Sequence, residues 1–387
     1  MMDSKVLTYC CPTQIHLGIH AHRTLPEIIT RLGANRLLFL TDNGVASTEI
    51  FKLVKDLLEQ QHLSFDLFTD IEPDPSHRTV EEAYRIYERN KASVLLTLGG
   101  GSTIDVGKAV GILAANGGRI QDYEGIDQFR NPPVPILAIP TTAGTGSEVS
   151  GSCVITDTDR GLKLSIRGST LNRAKVAILD PVALRSLPAA VAIYPAIDAF
   201  VHALESYVSL NANPVTDAMN LYAIELISQN VRPFVANRNN LEAGLQMLCA
   251  ASLAGMGFSN TGAGNIHCMA RFVGAFFHVP HGLANAVCLP HGADFNLMAS
   301  PRKFARLAAA MGEPVHGMTT LEAARTAIGA IRRLNGDLGI PSRLREIGVT
   351  ENRLPEMARL CFEANYNRWN PRYTTVEDFQ SLFEKAF

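Results

Sequence analysis

Asp198 and His202 stand four apart in the segment Tyr194-Pro195-Ala196-Ile197-Asp198-Ala199-Phe200-Val201-His202-Ala203-Leu204-Glu205. On a helix, positions i and i+4 point the same way. The pair borders the apolar stripe Ile197, Val201, Leu204, Val208 and so faces inward. A carboxylate there is costly unless a cation relieves it. His267 lies early in another helical segment, and His281 follows in Val279-Pro280-His281-Gly282, a helix and a turn later. Imidazoles with one carboxylate and no thiolate suit Fe(II), Zn(II) or Mn(II). His278 and His291 stand close to His281 and compete with it, and spacing alone leaves the choice open. Glu205, one turn past His202, reads as a partner orienting that imidazole or, more readily, as a solvated charge.

Two loops suggest a nucleotide. Strand Ser93–Leu98 runs into Gly99-Gly100-Gly101-Ser102, and Thr103–Leu113 reads as helix. Glycine lets backbone N–H groups approach a ligand, and a helix N-terminus favours phosphate. The segment is not G-x-G-x-x-G, and it follows a late strand rather than the first. A second loop, Thr141-Thr142-Ala143-Gly144-Thr145-Gly146-Ser147-Glu148, also follows a strand and offers hydroxyls to phosphate or ribose; alone it reads equally as a turn. Together they mark the carboxyl edge of an open sheet, where such folds bind ligands. Asp42 ends the strand Leu37–Thr41. A carboxylate there accepts from a ribose 2′-OH and repels a 2′-phosphate, which predicts NAD over NADP. Its alternative role is to cap the following helix.

These residues need a frame. Strand segments Arg36–Thr41, Ser93–Leu98 and Val134–Ile139 alternate with helical stretches Ser47–Gln61 and Thr79–Asn90, the pattern of βαβ units and a parallel sheet. Strands Ser152–Thr156, Lys163–Ile166 and Lys175–Leu179 follow. Beyond about Leu187 the sequence reads as helices: Ala192–Leu210, Pro214–Ala236, Leu241–Met256, Ile266–Phe277, Pro301–Met311, Leu321–Leu334 and Val376–Ala386. The expected organisation is α/β, with a nucleotide-binding domain over residues 1–187 and an all-helical metal-binding domain over 188–387, divided near the Asp180–Pro181 turn.

Composition sets the bounds. A chain of 387 residues exceeds one ordinary core. The net charge of −2 lacks the basic surplus of a nucleic-acid binder. No apolar run reaches the roughly 18 residues of a membrane helix, so no membrane partner is expected. The opening MMDSKVLTYCCPTQ has no hydrophobic signal core, and the cysteines are odd in number and scattered, so a cytoplasmic protein with reduced thiols is expected.

Taken in order, the motifs resemble the iron-containing (group III) alcohol dehydrogenase family over nearly the whole chain. They are Thr41-Asp42, Gly99-Gly100-Gly101-Ser102-x-x-Asp105-x-x-Lys108, Pro140 through Glu148, Asp198-Ala199-x-x-His202-Ala203-x-Glu205, Pro280-His281-Gly282-x-x-Asn285-Ala286 and Asn370-Pro371-Arg372. The resemblance implies a Rossmann-like parallel-sheet domain, a helical metal domain and a cleft between them, in a dehydroquinate synthase-like architecture. It implies metal binding through Asp198, His202, His267 and His281, choosing His267 and His281 over His278 and His291, with Fe2+ first and Zn2+ or Mn2+ as substitutes. Cofactor contacts are implied at Asp42, Gly99, Gly100, Gly101, Ser102, Asp105, Thr141, Thr142, Thr145, Ser147, Lys163 and Leu179. The implied reaction moves hydride between NAD, or NADP, and a small alcohol or aldehyde, in a homodimer or larger homo-oligomer.

One departure bears on substrate. Many members carry His-x-x-x-His from the residue matching His267, whereas here Arg271 holds the second position. With His267 it forms the catalytic pair expected here, and a fixed cation one turn from a metal ligand suggests an anionic group on the substrate. A glycerol dehydrogenase-like or maleylacetate reductase-like enzyme, and a lyase of the dehydroquinate synthase type, are the alternatives. The Asp-x-x-x-His helix and the Pro-His-Gly turn favour the dehydrogenase.

Overall fold

A computed structural model describes residues 6–387, so the first five residues of the opening stretch lie outside it. Strands β1 Gln14–Leu17, β2 Arg36–Leu40, β3 Ser64–Phe68, β4 Val94–Gly99, β5 Gly125–Ile126, β6 Ile136–Pro140, β7 Ser152–Asp157, β8 Leu162–Arg167 and β9 Val176–Leu179 alternate with helices α1 Leu25–Arg31, α2 Asn43–Ala46, α3 Glu49–Gln60, α4 His77–Asn90 and α5 Gly101–Asn116. Thr48 and Ser76 cap α3 and α4, each hydroxyl accepting from an amide three residues on.

Six strands form a parallel sheet in the order β1-β9-β6-β4-β2-β3. Its central strands are apolar on both faces. On β2, Leu38 and Leu40 enter one core with Val80 and Ile104, while Leu37 and Phe39 enter the other with Ile29 and Val54. That two-sided burial is why such strands read as continuous hydrophobic runs. β7 and β8 do not join this sheet. They pair antiparallel, with β5 alongside, in a separate three-stranded sheet.

From Ala189 the chain is helical: α6 Ala189–Val208, α7 Pro214–Ala236, α8 Leu241–Thr261, α9 Asn265–Phe277, α10 His281–Leu297, α11 Pro301–Ala310, α12 Thr320–Asp337, α13 Leu354–Glu363 and α14 Val376–Ala386. α6 packs on α7 and α10, and α10 on α9.

The chain groups into two compact units, and the grouping is not a single cut at 187. Residues 6–9 and Leu253–Phe387 go with the helical unit, while Arg238–Ser252, the first half of α8 included, goes with the α/β unit. Ser252 donates to buried Glu148 at 2.6 Å, and Tyr9 donates to Met256. α8 also corrects the expectation that no segment is long and apolar enough to span a membrane. It meets that test by length and composition, but 61% of its apolar window is buried inside the fold, as in a core helix.

Candidate metal centre and cofactor loops

α6 places Asp198, His202 and Glu205 on one inward face at i, i+4 and i+7. α9 brings His267 and α10 begins at His281. A Cβ on Gly282 would stand 2.4 Å from the Tyr194 carbonyl oxygen, so the start of α10 touches α6 only because residue 282 has no side chain. One ligating atom each from Asp198, His267 and His281 falls within 4.8 Å of the others. His267 Nε2 and His281 Nε2 lie 3.6 and 3.7 Å from Asp198 Oδ1. His202 stands beside this set, its Nδ1 3.9 Å from Asp198 Oδ2 and its ring stacked on His267 at 4.5 Å.

Glu205 is not the solvated charge the sequence suggested, nor does it orient His202. It is 2% exposed. Its carboxylate accepts from the Gly264 and Ile266 amides at 2.8 and 2.6 Å and from His267 Nδ1 at 2.6 Å. A carboxylate can only accept, so Glu205 keeps a proton on His267 Nδ1 and leaves Nε2 as the ring atom directed at Asp198. Asn285, one turn after His281, donates to Asp198 Oδ1 at 2.7 Å and is fully buried. Its place in the Pro-His-Gly motif was visible, but its contact with Asp198 was not, because the partner lies far away in sequence.

The electrostatics suit a cation. Burial alone would raise the Asp198 carboxyl, yet the three imidazoles hold it well below the usual carboxylate range. Burial would lower His267, and the Glu205 and Asp198 carboxylates outweigh it, raising the imidazole to about 9. Among the described residues His267 Nε2 is buried without a hydrogen-bond partner. One carboxylate, three imidazoles and a buried unpartnered nitrogen fit a divalent metal, with His281 approaching from the exposed side.

The competing histidines are elsewhere. His278 ends α9 with a left-handed backbone, φ 54°. His291 lies about 15 Å along α10 from His281 at 1.5 Å rise per residue.

In the α/β unit, Asp42, the Gly99 loop and the Thr141 loop follow the neighbouring strands β2, β4 and β6 at their carboxyl ends. Thr41 Oγ1 donates to the Leu98 carbonyl, and the Thr141 amide to the Gly99 carbonyl. A Cβ on Gly99 would overlap Thr103, and one on Gly101 would stand 3.0 Å from Thr145 Cγ2, so the two loops touch. Gly100 caps α5, leaving the amides of Gly101 and Ser102 in its first turn. Asp42 Oδ1 accepts from the Val45 amide at 2.9 Å, so it does cap α2; its second oxygen has no such bond.

Asp105 and Ser147 are tied into a network of internal hydrogen bonds. Ser147 donates to Asp105 at 2.6 Å and accepts from Lys108 Nζ at 2.9 Å, while Asp105 also accepts from the Val154 amide. Lys108 is fully buried and also binds Ser150 and the Ser152 carbonyl. Burial raises Asp105 and lowers Lys108, and the pairing opposes both. Lys163 stands exposed on β8 and pairs with Asp74 at 2.7 Å. Leu179 closes β9, 1% exposed. Arg271 sits one turn after His267, exposed, near the Phe272 ring and hydrogen-bonded to Tyr366.

Residues 12–181 match the family described as iron-containing alcohol dehydrogenase, and residues 192–387 match the C-terminal region of the Fe-containing alcohol dehydrogenase family. The chain is 39% identical to the 1,3-propanediol dehydrogenase of Klebsiella pneumoniae across 100% of both chains. It is 39% identical to the NAD-dependent methanol dehydrogenase of Bacillus methanolicus, covering 96% of this chain and 97% of that one. A crystal structure of 1,3-propanediol oxidoreductase superposes with a TM-score of 0.96 at 39% identity, covering 99% of this chain and 100% of the other. Matched by the family over residues 12–181 and 192–387 and 39% identical to a full-length relative, the chain belongs to the iron-containing alcohol dehydrogenase family.

Proposed function

We propose that this alcohol dehydrogenase/aldehyde reductase binds one divalent metal, Fe2+ first, at Asp198, His202, His267 and His281. The observation that carries the reading is the His267 imidazole, whose Nδ1 is held by Glu205 and whose Nε2, the atom left for a metal, is buried and faces the cluster. Bound there, the metal supplies Lewis acidity that favours an alkoxide, or a polarised carbonyl in the reverse direction. The Gly99–Ser102 amides and the hydroxyls of Thr142 and Thr145 would hold NAD, which would supply the hydride acceptor or donor there. Asp198 provides the negative charge, the imidazoles neutral donors, and Asn285 holds the carboxylate in place. Asp42 would offer its second oxygen to the adenosine ribose, which would favour NAD over NADP.

Arg271 we assign to the substrate's far end. Its partner is the Tyr366 hydroxyl, and among the described residues it makes no ion pair, so the guanidinium keeps its charge available to an anionic substituent. Cys10, Cys11, Cys153, Cys249, Cys268, Cys288 and Cys361 are all free thiols, which supports a cytoplasmic, reducing setting. A homodimer or larger homo-oligomer is the expected assembly.

The deciding experiment measures metal per chain together with NADH oxidation on a panel of small aldehydes, in wild type, His267→Ala and His281→Ala. Wild type is expected to hold one metal and reduce aldehydes, and both variants to lose metal and turnover. A His281→Ala protein with full metal and normal activity overturns the site. For Arg271 the expected result is a preference of roughly tenfold or more for an acidic aldehyde over a neutral one of equal length, abolished by Arg271→His. A wild type preferring the neutral aldehyde overturns that assignment.

A further inference from the structure

The helical unit contains a second concavity away from the metal ligands. It is a cavity of about 680 Å³ among the C-terminal half of α10, the end of α12, residues 340–343, Arg372 and α14. Sites for small molecules commonly span about 300–1,000 Å³. α10 runs from His281 to this cavity, and His291 on its wall lies about 15 Å from His281 along the helix. The cavity is therefore separate from the metal cluster.

Its charge is opposite in sign to the chain's. Arg332, Arg343, Arg372 and Lys385 line it, against the carboxylates of Asp294 and Asp378, whereas the chain carries −2 overall. These cations come from α12, the segment after it, the bend at Arg372 and α14, so their convergence is a property of the fold. Arg343 donates to the Lys385 carbonyl and Arg372 to the Phe295 carbonyl, both 3.0 Å, so neither is neutralised by those bonds. Among the described residues, Arg332 and Lys385 make no ion pair. The half-buried imidazole of His291 registers this positive field: burial first, then Arg332, Arg343 and Lys385, push it down to about 4 against the opposing pull of Asp294.

The wall also offers acceptors. Asn335 is 7% exposed, and its Nδ2 donates to the Ala286 carbonyl at 2.7 Å. That bond fixes the amide and leaves Oδ1 buried with no partner. A buried acceptor without a donor is costly, and a ligand O–H or N–H aimed at it removes that cost. Asp378 is already engaged, accepting from the Thr375 amide and hydroxyl in the cap of α14. Asp294 adds a second acceptor on the α10 side. Several guanidiniums around one space match the forked oxygens of a phosphate better than a single carboxylate.

We propose that this cavity binds an organic phosphate carrying hydroxyl or amine donors, its phosphoryl oxygens on Arg332, Arg343 and Lys385 and a donor on Asn335 Oδ1. The site is independent of the redox centre and of the nicotinamide cofactor.

Titration calorimetry on the metal-loaded enzyme, with the cofactor site first saturated by NAD, tests this. A hexose bisphosphate, ADP and inorganic phosphate are the three probes, the first two separating a sugar phosphate from a nucleotide. One saturable site is expected for the hexose bisphosphate or ADP, and the double variant Arg332→Gln, Lys385→Gln is expected to weaken it at least tenfold. Metal content, NAD affinity and turnover without added phosphate are expected to stay at wild-type values in that variant, which shows that it has folded. The proposal is overturned by the absence of saturable binding for both organic probes, by equal affinity in the variant, or by inorganic phosphate binding as tightly as either.

Discussion

Glu205→Gln keeps the size of the side chain while placing an amide where three donors now meet a carboxylate. The Gly264 and Ile266 amides and His267 Nδ1 cannot all be served by one remaining oxygen. Loss of such an orienting partner typically weakens metal binding about 10- to 100-fold, and an unserved buried donor costs about 1–3 kcal/mol. Competition with a chelating dye, alongside a thermal melt, reads both effects; wild-type metal affinity in this variant would remove Glu205 from the site. Asp42→Gly is expected to narrow the preference for NAD over NADPH in kcat/KM while costing about 1 kcal/mol through the lost cap of α2. Glu205 shows why sequence periodicity stops short: spacing placed it one turn from His202, but which histidine it meets depends on how α9 enters, a long-range fact no local pattern holds.

At the scale of elements, Gly282→Ala is the sharpest probe. The added methyl would meet the Tyr194 carbonyl at 2.4 Å, forcing the start of α10, and with it His281, away from α6. The expected result is at least tenfold weaker metal binding with the α/β unit unaffected, checked by metal titration and NAD binding side by side. Lys108→Met leaves the Asp105 carboxylate with only Ser147 and the Val154 amide and removes the donor to Ser147, Ser150 and the Ser152 carbonyl, a loss of about 1–3 kcal/mol. Adding Asp105→Asn is expected to recover part of it in a denaturant melt. Helices α3, α7 and α14 and the central strands were legible, since caps and two-sided burial leave local marks. α10 and α13 escaped, as did β1 and β3. Gly282, Pro290 and Gly292 make α10 look interrupted, yet Gly292 is needed because a Cβ there would strike Ile266 at 2.4 Å. β1 and β3 lie at the two edges of the sheet and are correspondingly less apolar. Strands β7 and β8 read as strands, but nothing local showed that they would pair only with each other and β5.

For the molecule as a whole, the two compact units are expected to answer to different ligands. Removing metal with a chelator is expected to speed amide hydrogen exchange around Asp198, His267 and His281 while leaving the six-stranded sheet unchanged. NAD is expected to protect the segments 99–102 and 141–147 instead. Uniform loosening on metal removal would contradict this division. The sequence showed two regions but not residues 6–9 or Arg238–Ser252 changing allegiance, because that depends on what each segment packs against.

Asn370 has a further consequence. Its Oδ1 accepts from the Asn265 amide and the Asn296 side chain, its Nδ2 donates to Asn296, and Thr374 Oγ1 accepts from Asn265. The start of α9, which carries His267, and the end of α10, which begins at His281, are thus tied through residues far downstream of every metal ligand. During synthesis all four ligands leave the ribosome well before the knot that frames them. A nascent chain halted before Asn370 would carry all four proposed ligands without the frame that gathers them, so iron capture in the finished geometry is expected to come late in the life of each chain.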